Sequence, residues 1–328
     1  MSHAASQVGT GHKDPETARA HISVGTLGGA SAPAHRDGTL SSSRFRSPMG
    51  IARMPGGRGV IVADTGNDAI REISLHDESS VRTLYGGRWL RPTDVSTCPD
   101  GFGYAVCDSG HHRISLLSSS GNTVTPLAGC GKMGFLDGTA PEARFHSPHG
   151  ICYGPRGSLI IADSGNHVIR MLSNGFVTTI AGVPGVRGYA DGRSNQALLD
   201  SPKRVLVTHD GSIIIADGNG GLRVMHDSWT YVETLIVPIP IGSPSPKHKH
   251  RDGPRGQARM STCDGLCLSL EGSVVVADTL NHCIRVLDPH FLTLSTLVGP
   301  TSGECGATDG APDVCRMNRP TGVCVCVL

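Results

Sequence analysis

The stretch SPHGICYGPRGSLIIADSGNHVIR, residues 147–170, decides the fold. An apolar run ends at Asp163, a polar turn containing Asn166 follows, and a second apolar run carries Arg170. Because β-branched residues on both sides of a short polar turn are typical of a β-hairpin, the stretch predicts two antiparallel strands. Its histidines and Asp163 also suggest an active site, so the deciding question is whether the pattern recurs.

The hairpin pattern does recur along the chain. Its other copies are IVADTGNDAIREI (61–73), AVCDSGHHRISLL (105–117), IIADGNGGLRVM (214–225) and VVADTLNHCIRVL (275–287). Short apolar runs lie before and after each copy, which gives four strands per unit. Such units cannot bury their apolar faces singly, and radial stacking of four-stranded sheets buries them with only short exposed edges. The sequence therefore predicts an all-β fold, a β-propeller.

The quoted residues carry a family resemblance. The pattern P-x-G-I…G-x-L-I-I-A-D-x-x-N-H-x-I-R resembles the NHL repeat, and the linker A-G…D-G…A-x-F-x-x-P is similar to a common form of that family. The resemblance extends from Ile22 to the end of the chain. It implies an NHL-type propeller that presents loops and a channel mouth to partners.

The chain ends predict how the ring closes. ISVGTLGG (22–29) matches the fourth strand of a unit, and PTGVCVCVL (320–328) matches the first. We therefore expect a six-bladed propeller with four antiparallel strands per blade, its sixth blade shared by the termini. About 20 residues of that blade are lacking by comparison with the other units, so we expect a truncated or variant form with an incomplete sixth blade.

Composition suggests how the domain is bounded. Residues 1–21 are polar and are expected to form a flexible tail, and 22–328 form a single propeller with a surface loop insertion at 237–253. No apolar run approaches transmembrane length, and no signal peptide accompanies the eleven cysteines. We expect a cytoplasmic protein that does not contact membranes and is monomeric.

Repetition favours a structural interpretation of the turn residues. Asp and Asn side chains accept backbone N–H bonds in tight turns, and Asn tolerates a positive φ. Arg71, Arg170 and Arg285 each follow an aspartate by seven residues, which predicts a cross-strand ion pair. The residues interpreted as structural are Asp64, Asn67, Asp108, Asp163, Asn166, Asp217, Asp278 and Asn281.

Positions where the repeats differ are better candidates for function. The innermost strand of each unit starts at P-x-G, and two units replace this glycine with Asp94 and Arg204. The position just before it also carries polar residues. Lys203 directly precedes Arg204, and His149 and Asp264 precede the glycine in two other units. These five residues predict a polar ring at the channel mouth that binds an anionic ligand or a peptide carboxylate. The alternative is that these side chains are only solvated at the mouth and bind nothing. We expect Arg204→Ala to weaken partner binding with thermal stability nearly unchanged.

Two loops offer further candidates. In GGRWLRPTDV the short linker is expected to expose Trp89 between Arg88 and Arg91, a composition common in contact hot spots. The alternative is that this indole plugs a gap in the packing. The loop VPIPIGSPSPKHKHRDG contains Ser243 and Ser245, each followed by proline and near basic residues. Both serines are candidate phosphorylation sites.

The sequence predicts no catalytic set, no metal site and no cofactor. No nucleophile-elbow, zincin, P-loop or dinucleotide-binding signature is found, and no two histidines have a strong ligand spacing. Cys152, Cys267 and Cys324 occupy equivalent inner-strand positions, as packing residues or, alternatively, as a thiolate metal or redox site.

Three functions remain open. The first is a non-catalytic binding or scaffold module for a protein or peptide. The second is a propeller enzyme, a metal-assisted lactone or ester hydrolase or a lyase, with its site at the channel mouth. The third is RNA binding by a local basic patch, which the net charge of +1 does not favour.

Overall fold

The computed structural model describes residues 22–29, 32–75, 79–84, 88–237, 250–300 and 302–326. These residues form five antiparallel sheets, which we number as blades 1 to 5 in chain order. The first long strand of each blade contacts the corresponding strand of the next blade. The five sheets are therefore arranged as the blades of a β-propeller.

The strands follow the repeat closely. Blade 1 contains β1 (Gly38–Thr39), β2 (Ile51–Arg53), β3 (Gly59–Asp64), β4 (Ala69–Ser74) and β5 (Ser80–Leu84). Blade 2 contains β6 (Pro92–Thr97), β7 (Gly103–Asp108), β8 (Arg113–Ser118) and β9 (Val124–Ala128). Blade 3 contains β10 (Gly138–Thr139), β11 (Gly150–Tyr153), β12 (Leu159–Asp163), β13 (Val168–Ser173) and β14 (Phe176–Ala181). Blade 4 contains β15 (Gly192–Arg193), β16 (Arg204–Val207), β17 (Ile213–Ala216), β18 (Leu222–Met225) and β19 (Tyr231–Ile236). Blade 5 contains β20 (Gly253–Pro254), β21 (Cys263–Leu268), β22 (Val274–Asp278), β23 (Cys283–Leu287) and β24 (Thr293–Val298).

Short 3₁₀ helices occupy the turns between strands. Those after the second long strand span Thr65–Asn67, Ser109–His111, Ser164–Asn166 and Thr279–Asn281. Two others, Pro55–Gly57 and Pro155–Gly157, follow the innermost strands of blades 1 and 3. None of the helices in the described part of the chain is long and apolar enough to cross a membrane.

Burial between blades explains the continuous apolar runs. Every residue of β12 is buried, because one face of blade 3 packs against blade 2 and the other against blade 4. A strand covered on both faces needs apolar residues at every position, rather than alternate ones. Ile160 and Ile161 accordingly point into different clusters of the core.

Glycine at the start of the inner strand allows neighbouring blades to approach. A Cβ placed on Gly150 would collide with the backbone carbonyl of Lys203, and one on Gly265 would collide with that of Thr321. The third residue of P-x-G is therefore fixed by the close contact of inner strands around the axis.

The expectation of six blades with four strands each is wrong in number. The described residues form five sheets, and four of these have five strands because the Asp-Gly segment of the linker adds a short outer strand. Blade 2 has four strands, since its linker lacks the Asp-Gly segment.

The sixth position contains pieces of a blade and no sheet in the described residues. An isolated β-bridge joins Val24 to Gly310. These two residues correspond to Val177 and Gly138, which pair with each other in blade 3. Residues 320–326 occupy the place of an innermost strand, between β21 and β2. The physical reason is that no described segment supplies the two middle strands that would pair these pieces.

Candidate functional site

Asp163 organises the turn of the blade 3 hairpin. It is fully buried, and its carboxylate accepts hydrogen bonds from the backbone N–H of His146 (2.8 Å) and the side-chain amide of Asn166 (2.8 Å). Arg170 Nη1 lies 2.9 Å from the same carboxylate. Equivalent residues occupy the other turns: Asp64 with Asn67, Asp108, Asp217, and Asp278 with Asn281. Each of these aspartates also accepts a backbone N–H from 17 or 18 residues earlier.

In every blade except blade 2, a buried arginine is held by two carboxylates. Arg170 Nη2 binds Asp137 (2.6 Å) and the carbonyl of Leu136 (2.8 Å), while Nη1 binds the carbonyl of Arg144 (3.1 Å). The same arrangement joins Arg71 to Asp64 and Asp37, Arg223 to Asp217 and Asp191, and Arg285 to Asp278 and Asp252. Sequence reasoning identified the first carboxylate and missed the second, although the recurrent Asp-Gly dipeptide was a signal for it.

The left-handed residue of the turn is the one after the asparagine. His167 has φ 60°, and Asn166 lies in the preceding 3₁₀ turn. The Nδ1 atom of His167 accepts a hydrogen bond from the backbone N–H of Ser201 in the next blade (3.0 Å). His112 and His282 accept in the same way from Ser147 (3.1 Å) and Arg319 (3.1 Å). The role of these histidines was missed by sequence reasoning: His112 and His167 fasten consecutive blades together, and His282 fastens blade 5 to the segment that follows it.

Arg204 reaches across the channel mouth from blade 4. Its Nη1 atom lies 2.9 Å from Asp94 Oδ2 of blade 2, and its Nε donates to the carbonyl of Asp264 in blade 5 (2.7 Å). Arg204 is 3% exposed, and burial raises the pKa of Asp94 although the arginine opposes that shift. These contacts join three blades, so we now expect Arg204→Ala to lower stability rather than to leave it nearly unchanged.

Lys203 and His149 complete the cluster at the mouth. Lys203 Nζ lies 2.8 Å from Asp264 Oδ1, and this ammonium lowers the pKa of Asp264 against the effect of burial. His149 Nδ1 lies 3.2 Å from the carbonyl of Lys203. Burial, followed by the nearby charges of Arg204 and Lys203, lowers the pKa of His149 to about 3, so this imidazole is neutral at pH 7.

The structure thus brings all five sequence-selected mouth residues together. Asp94, His149, Lys203, Arg204 and Asp264 come from four blades, and their two carboxylates are paired with their two cations. Within the described residues, Arg204 Nη2 is a buried donor without a hydrogen-bond partner. Asp94 and Arg204 line a channel of about 150 Å³ along the inner strands.

The other loop candidates are placed apart from this cluster. Trp89 is 4% exposed and packs in the core between blades 1 and 2, so the packing alternative is confirmed and the exposed hot spot is not. The short linker turns the indole inward, while Arg88 and Arg91 remain exposed. Ser243 and Ser245 lie outside the described residues.

Two groups of side chains have metal-ligand chemistry. Ligand atoms of His250, Asp278 and Cys283 lie within 4.8 Å of one another, but Asp278 is already paired with Arg285. Burial raises the pKa of Cys152 to about 11 and that of Cys267 to about 12, so both inner-strand cysteines are protonated thiols at neutral pH. This protonation favours a packing role for these two residues.

Comparisons with known proteins agree with this architecture. The model of the family described as "NHL repeat" matches residues 145–170, the blade 3 hairpin and the segment before it. The Arabidopsis thaliana protein SUPPRESSOR OF QUENCHING 1, chloroplastic, is 29% identical over 290 residues, which cover 80% of this chain. The match spans 27% of that plant protein.

Solved structures show the same fold at low sequence identity. A protein of unknown function from Bacteroides thetaiotaomicron has a TM-score of 0.71 at 21% identity, covering 92% of this chain and 70% of its own. An auxiliary nutrient binding protein from the same organism has a TM-score of 0.68 at 15% identity, covering 90% and 69%. Together with the repeated turns and the five radially stacked sheets, these matches show that the chain is a β-propeller that carries an NHL repeat at residues 145–170.

Proposed function

We propose that this propeller is a non-catalytic binding module that holds a protein or peptide partner at the channel mouth. One observation carries the proposal: Arg204 lines the channel, and its Nη2 donor has no partner within the described residues. A buried donor without an acceptor is costly, and a partner's carboxylate or carbonyl oxygen would satisfy it. The other polar atoms of Arg204 are held by Asp94 and by backbone carbonyls, so the side chain is preorganised.

The size of the channel favours a small protruding group of a larger partner. Its volume of about 150 Å³ compares with roughly 300–1,000 Å³ for typical small-molecule sites. An acidic side chain or a terminal carboxylate fits such a space, and the rest of a peptide would lie across the loops. This consideration weakens the alternative of an enzyme that encloses a whole lactone or ester substrate.

The charge pairing at the mouth also supports binding over metal-assisted catalysis. A divalent cation prefers ionised oxygen ligands that are not committed elsewhere. Asp94 and Asp264 are committed to Arg204 and Lys203 at 2.9 and 2.8 Å. Both ion pairs would have to open before these carboxylates could hold a metal ion.

RNA binding has less support from the surface residues. Single-stranded RNA is held by aromatic side chains that stack on bases, together with basic residues. Trp89 is buried beneath the exposed Arg88 and Arg91 and is therefore not placed for stacking. We propose that this arginine patch contacts protein, with Leu90, 41% exposed, between the two charges.

A peptide selection tests the proposed function. A library of short peptides with free terminal carboxylates, and the same library amidated, would be selected on the protein and on Asp94→Leu/Arg204→Met. The double variant removes both members of the pair and leaves no isolated buried charge. We expect the native chain to select acidic or carboxylate-ended peptides and the double variant to bind them about tenfold more weakly.

The control is the exposed ion pair of Arg187 and Asp200, 2.7 Å apart. Arg187→Gln/Asp200→Asn should bind the selected peptides as the native chain does. An absence of selection, or equal affinity for the Asp94→Leu/Arg204→Met variant, would reject the channel mouth as a binding site.

We also propose that the protein acts in the cytoplasm as a monomer. All eleven cysteines are unpaired in the structure, as expected in a reducing compartment. The name of the plant relative places that protein in the chloroplast. Localisation of a tagged full chain would distinguish the two compartments.

A further inference from the structure

Blade 5 differs from other blades at the residue opposite its turn aspartate. Cys283 pairs directly with Asp278 across the hairpin. In blade 2 the side chain at this position reaches the aspartate, since Arg113 Nε lies 3.0 Å from Asp108 Oδ2. Blades 1 and 3 have Ala69 and Val168 there. In blade 5 this position therefore places a thiol beside a buried carboxylate.

A histidine brings a third kind of ligand atom to the same place. His250 comes from the linker before blade 5, and its Nδ1 atom lies 3.7 Å from Cys283 Sγ. The ligand atoms of His250, Asp278 and Cys283 all lie within 4.8 Å of one another. Asp278 and Cys283 are fully buried, and the side chain of His250 is 10% exposed. The cluster thus combines an imidazole, a carboxylate and a thiol in a site that is almost closed to water.

The residues behind His250 fix the proton of its neutral ring. The hydroxyl of Thr296 donates to Asp252 Oδ1 (3.0 Å), so its oxygen accepts from His250 Nε2 (2.8 Å). Nδ1 then carries the lone pair that points toward Cys283. Histidines that bind metals are held in this way, with the other ring N–H donating to an acceptor that orients the ring.

The spacing of the thiol and the imidazole matches a tetrahedral zinc site. Zinc lies about 2.3 Å from a thiolate sulfur and about 2.0–2.1 Å from an imidazole nitrogen, so two such ligands of a tetrahedral ion are about 3.6 Å apart. Cys283 Sγ and His250 Nδ1 are 3.7 Å apart. An ion between them therefore requires little movement of either side chain.

The charges around the cluster favour a cation. Arg285 is shared by two carboxylates, Asp278 at 2.9 Å and Asp252 at 2.6 Å, which leaves one negative charge uncompensated when both are ionised. Burial raises the pKa of the Cys283 thiol, so the sulfur keeps its proton until an ion displaces it. Loss of that proton adds a second negative charge, and a divalent cation compensates both. Arg285 stays paired through Asp252 while Asp278 shares its carboxylate with the ion.

We propose that Cys283, His250 and Asp278 bind one zinc ion between the linker and the hairpin of blade 5. The ion replaces the thiol proton: the S–H bond breaks, a sulfur–zinc bond forms, and the proton passes to solvent. Zinc accepts this combination of sulfur, nitrogen and oxygen ligands. The site shares no residue with the channel mouth and does not depend on the proposed function. Its role is to tie the linker to the hairpin that it precedes.

Zinc titration of the full chain, after removal of metals with a chelator, tests this site. We expect one tightly bound zinc ion per chain by equilibrium dialysis and an increase in melting temperature of several degrees. Affinity should fall about tenfold between pH 8 and pH 7, because binding displaces one proton. Cobalt(II) in place of zinc should give the near-ultraviolet absorption of a thiolate–cobalt bond.

Substitutions taken from other blades identify the ligands without introducing residues foreign to the repeat. Cys283→Ala gives blade 5 the residue that blade 1 has at this position. His250→Phe copies blade 3, where the ring of Phe135 lies 4.7 Å from the guanidinium of Arg170. Loss of a residue that only orients a ligand weakens metal binding by about 10- to 100-fold. Loss of a ligand itself should therefore weaken zinc binding by at least about a hundredfold and remove the cobalt absorption.

Two matched controls separate this site from other histidines and thiols. His35 of blade 1 contacts Thr83 at 2.9 Å as His250 contacts Thr296, and Cys130 is an exposed thiol. His35→Phe and Cys130→Ser should bind zinc as the native chain does. The proposal is overturned if the native chain binds no zinc, or if Cys283→Ala or His250→Phe binds it as tightly as the native chain. It is also overturned if either control lowers the affinity as much as these two variants, since the ion then lies elsewhere.

Discussion

At the residue scale, the histidine after each turn asparagine combines two functions in one side chain. His167 takes the left-handed backbone that ends the 3₁₀ turn, and its Nδ1 accepts the first hydrogen bond of the next blade. The sequence predicted the turn from Asp163 and Asn166 but not this contact, because the partner N–H comes from Ser201, 34 residues later. The sequence pattern of a turn predicts hydrogen bonds within that turn. A hydrogen bond between two blades can be identified only when the stacking of the blades is known.

Replacing His167 should separate these two functions. His167→Ala removes the acceptor and leaves the Ser201 N–H without its partner, which should lower the free energy of unfolding by about 1–3 kcal/mol. His167→Asn keeps an acceptor and a residue that tolerates positive φ, so it should lose less. Urea unfolding followed by circular dichroism measures both. Equal stability of the alanine variant and the native chain would show that the contact contributes nothing.

The same histidines should make stability depend on pH. Burial lowers the pKa of His112, His167 and His282, so the folded chain binds their protons more weakly than the unfolded chain does. Their effect is absent above about pH 6.5, and as pH falls below this value protonation favours the unfolded state. Urea midpoints from pH 8 to 5 should fall more steeply for the native chain than for a variant with Asn at all three positions. Parallel curves would exclude these residues as the cause.

At the element scale, the hairpin and the linker before it form one unit held by the buried arginine. In blade 3 a register shift between Ile169 and Arg170 interrupts the β13–β14 ladder where Arg170 reaches Asp163 and Asp137. The seven-residue spacing was enough to predict the first partner. The second partner was not predicted, because the sequence alone does not show that the linker folds back over its own hairpin.

Blade 2 provides a natural comparison for this unit. Ser115 occupies the arginine position there, and Asp108 is paired instead with Arg113, whose side chain is 28% exposed. Arg170→Met would leave the buried Asp163 and two carbonyls without their donor, and should cost about 3–5 kcal/mol. Arg113→Met should cost less, about 1 kcal/mol, since Arg113 is partly exposed and the buried Asp108 keeps His111 Nδ1 at 2.9 Å. Chemical denaturation of both variants measures the difference, and similar losses would contradict the two-carboxylate account.

At the scale of the whole molecule, the sequence predicted the propeller and its repeat but miscounted the blades. Matching the chain ends to strands placed them correctly in the sixth position, as the bridge between Val24 and Gly310 shows. A sheet also needs middle strands, and the described residues provide none there, so the structure has five blades. The exposed position expected for Trp89 differs for a related reason, because the short linker places this indole in the interface between blades 1 and 2 while its neighbours stay exposed.

The contact that crosses the axis should contribute to the stability of the whole ring. Arg204 joins blade 4 to Asp94 of blade 2 and to the Asp264 carbonyl of blade 5. Arg204→Met leaves Asp94 buried and unpaired, so it should lower the free energy of unfolding by about 3–5 kcal/mol. Asp94→Leu/Arg204→Met removes both charges and should recover most of that loss, because an apolar pair needs no compensation. Chemical denaturation of both variants and of the native chain shows whether the Arg204–Asp94 ion pair stabilises the ring or is already solvated. If the single variant is as stable as the native chain, then water already compensates Asp94, and the channel mouth is open to solvent rather than closed by this ion pair.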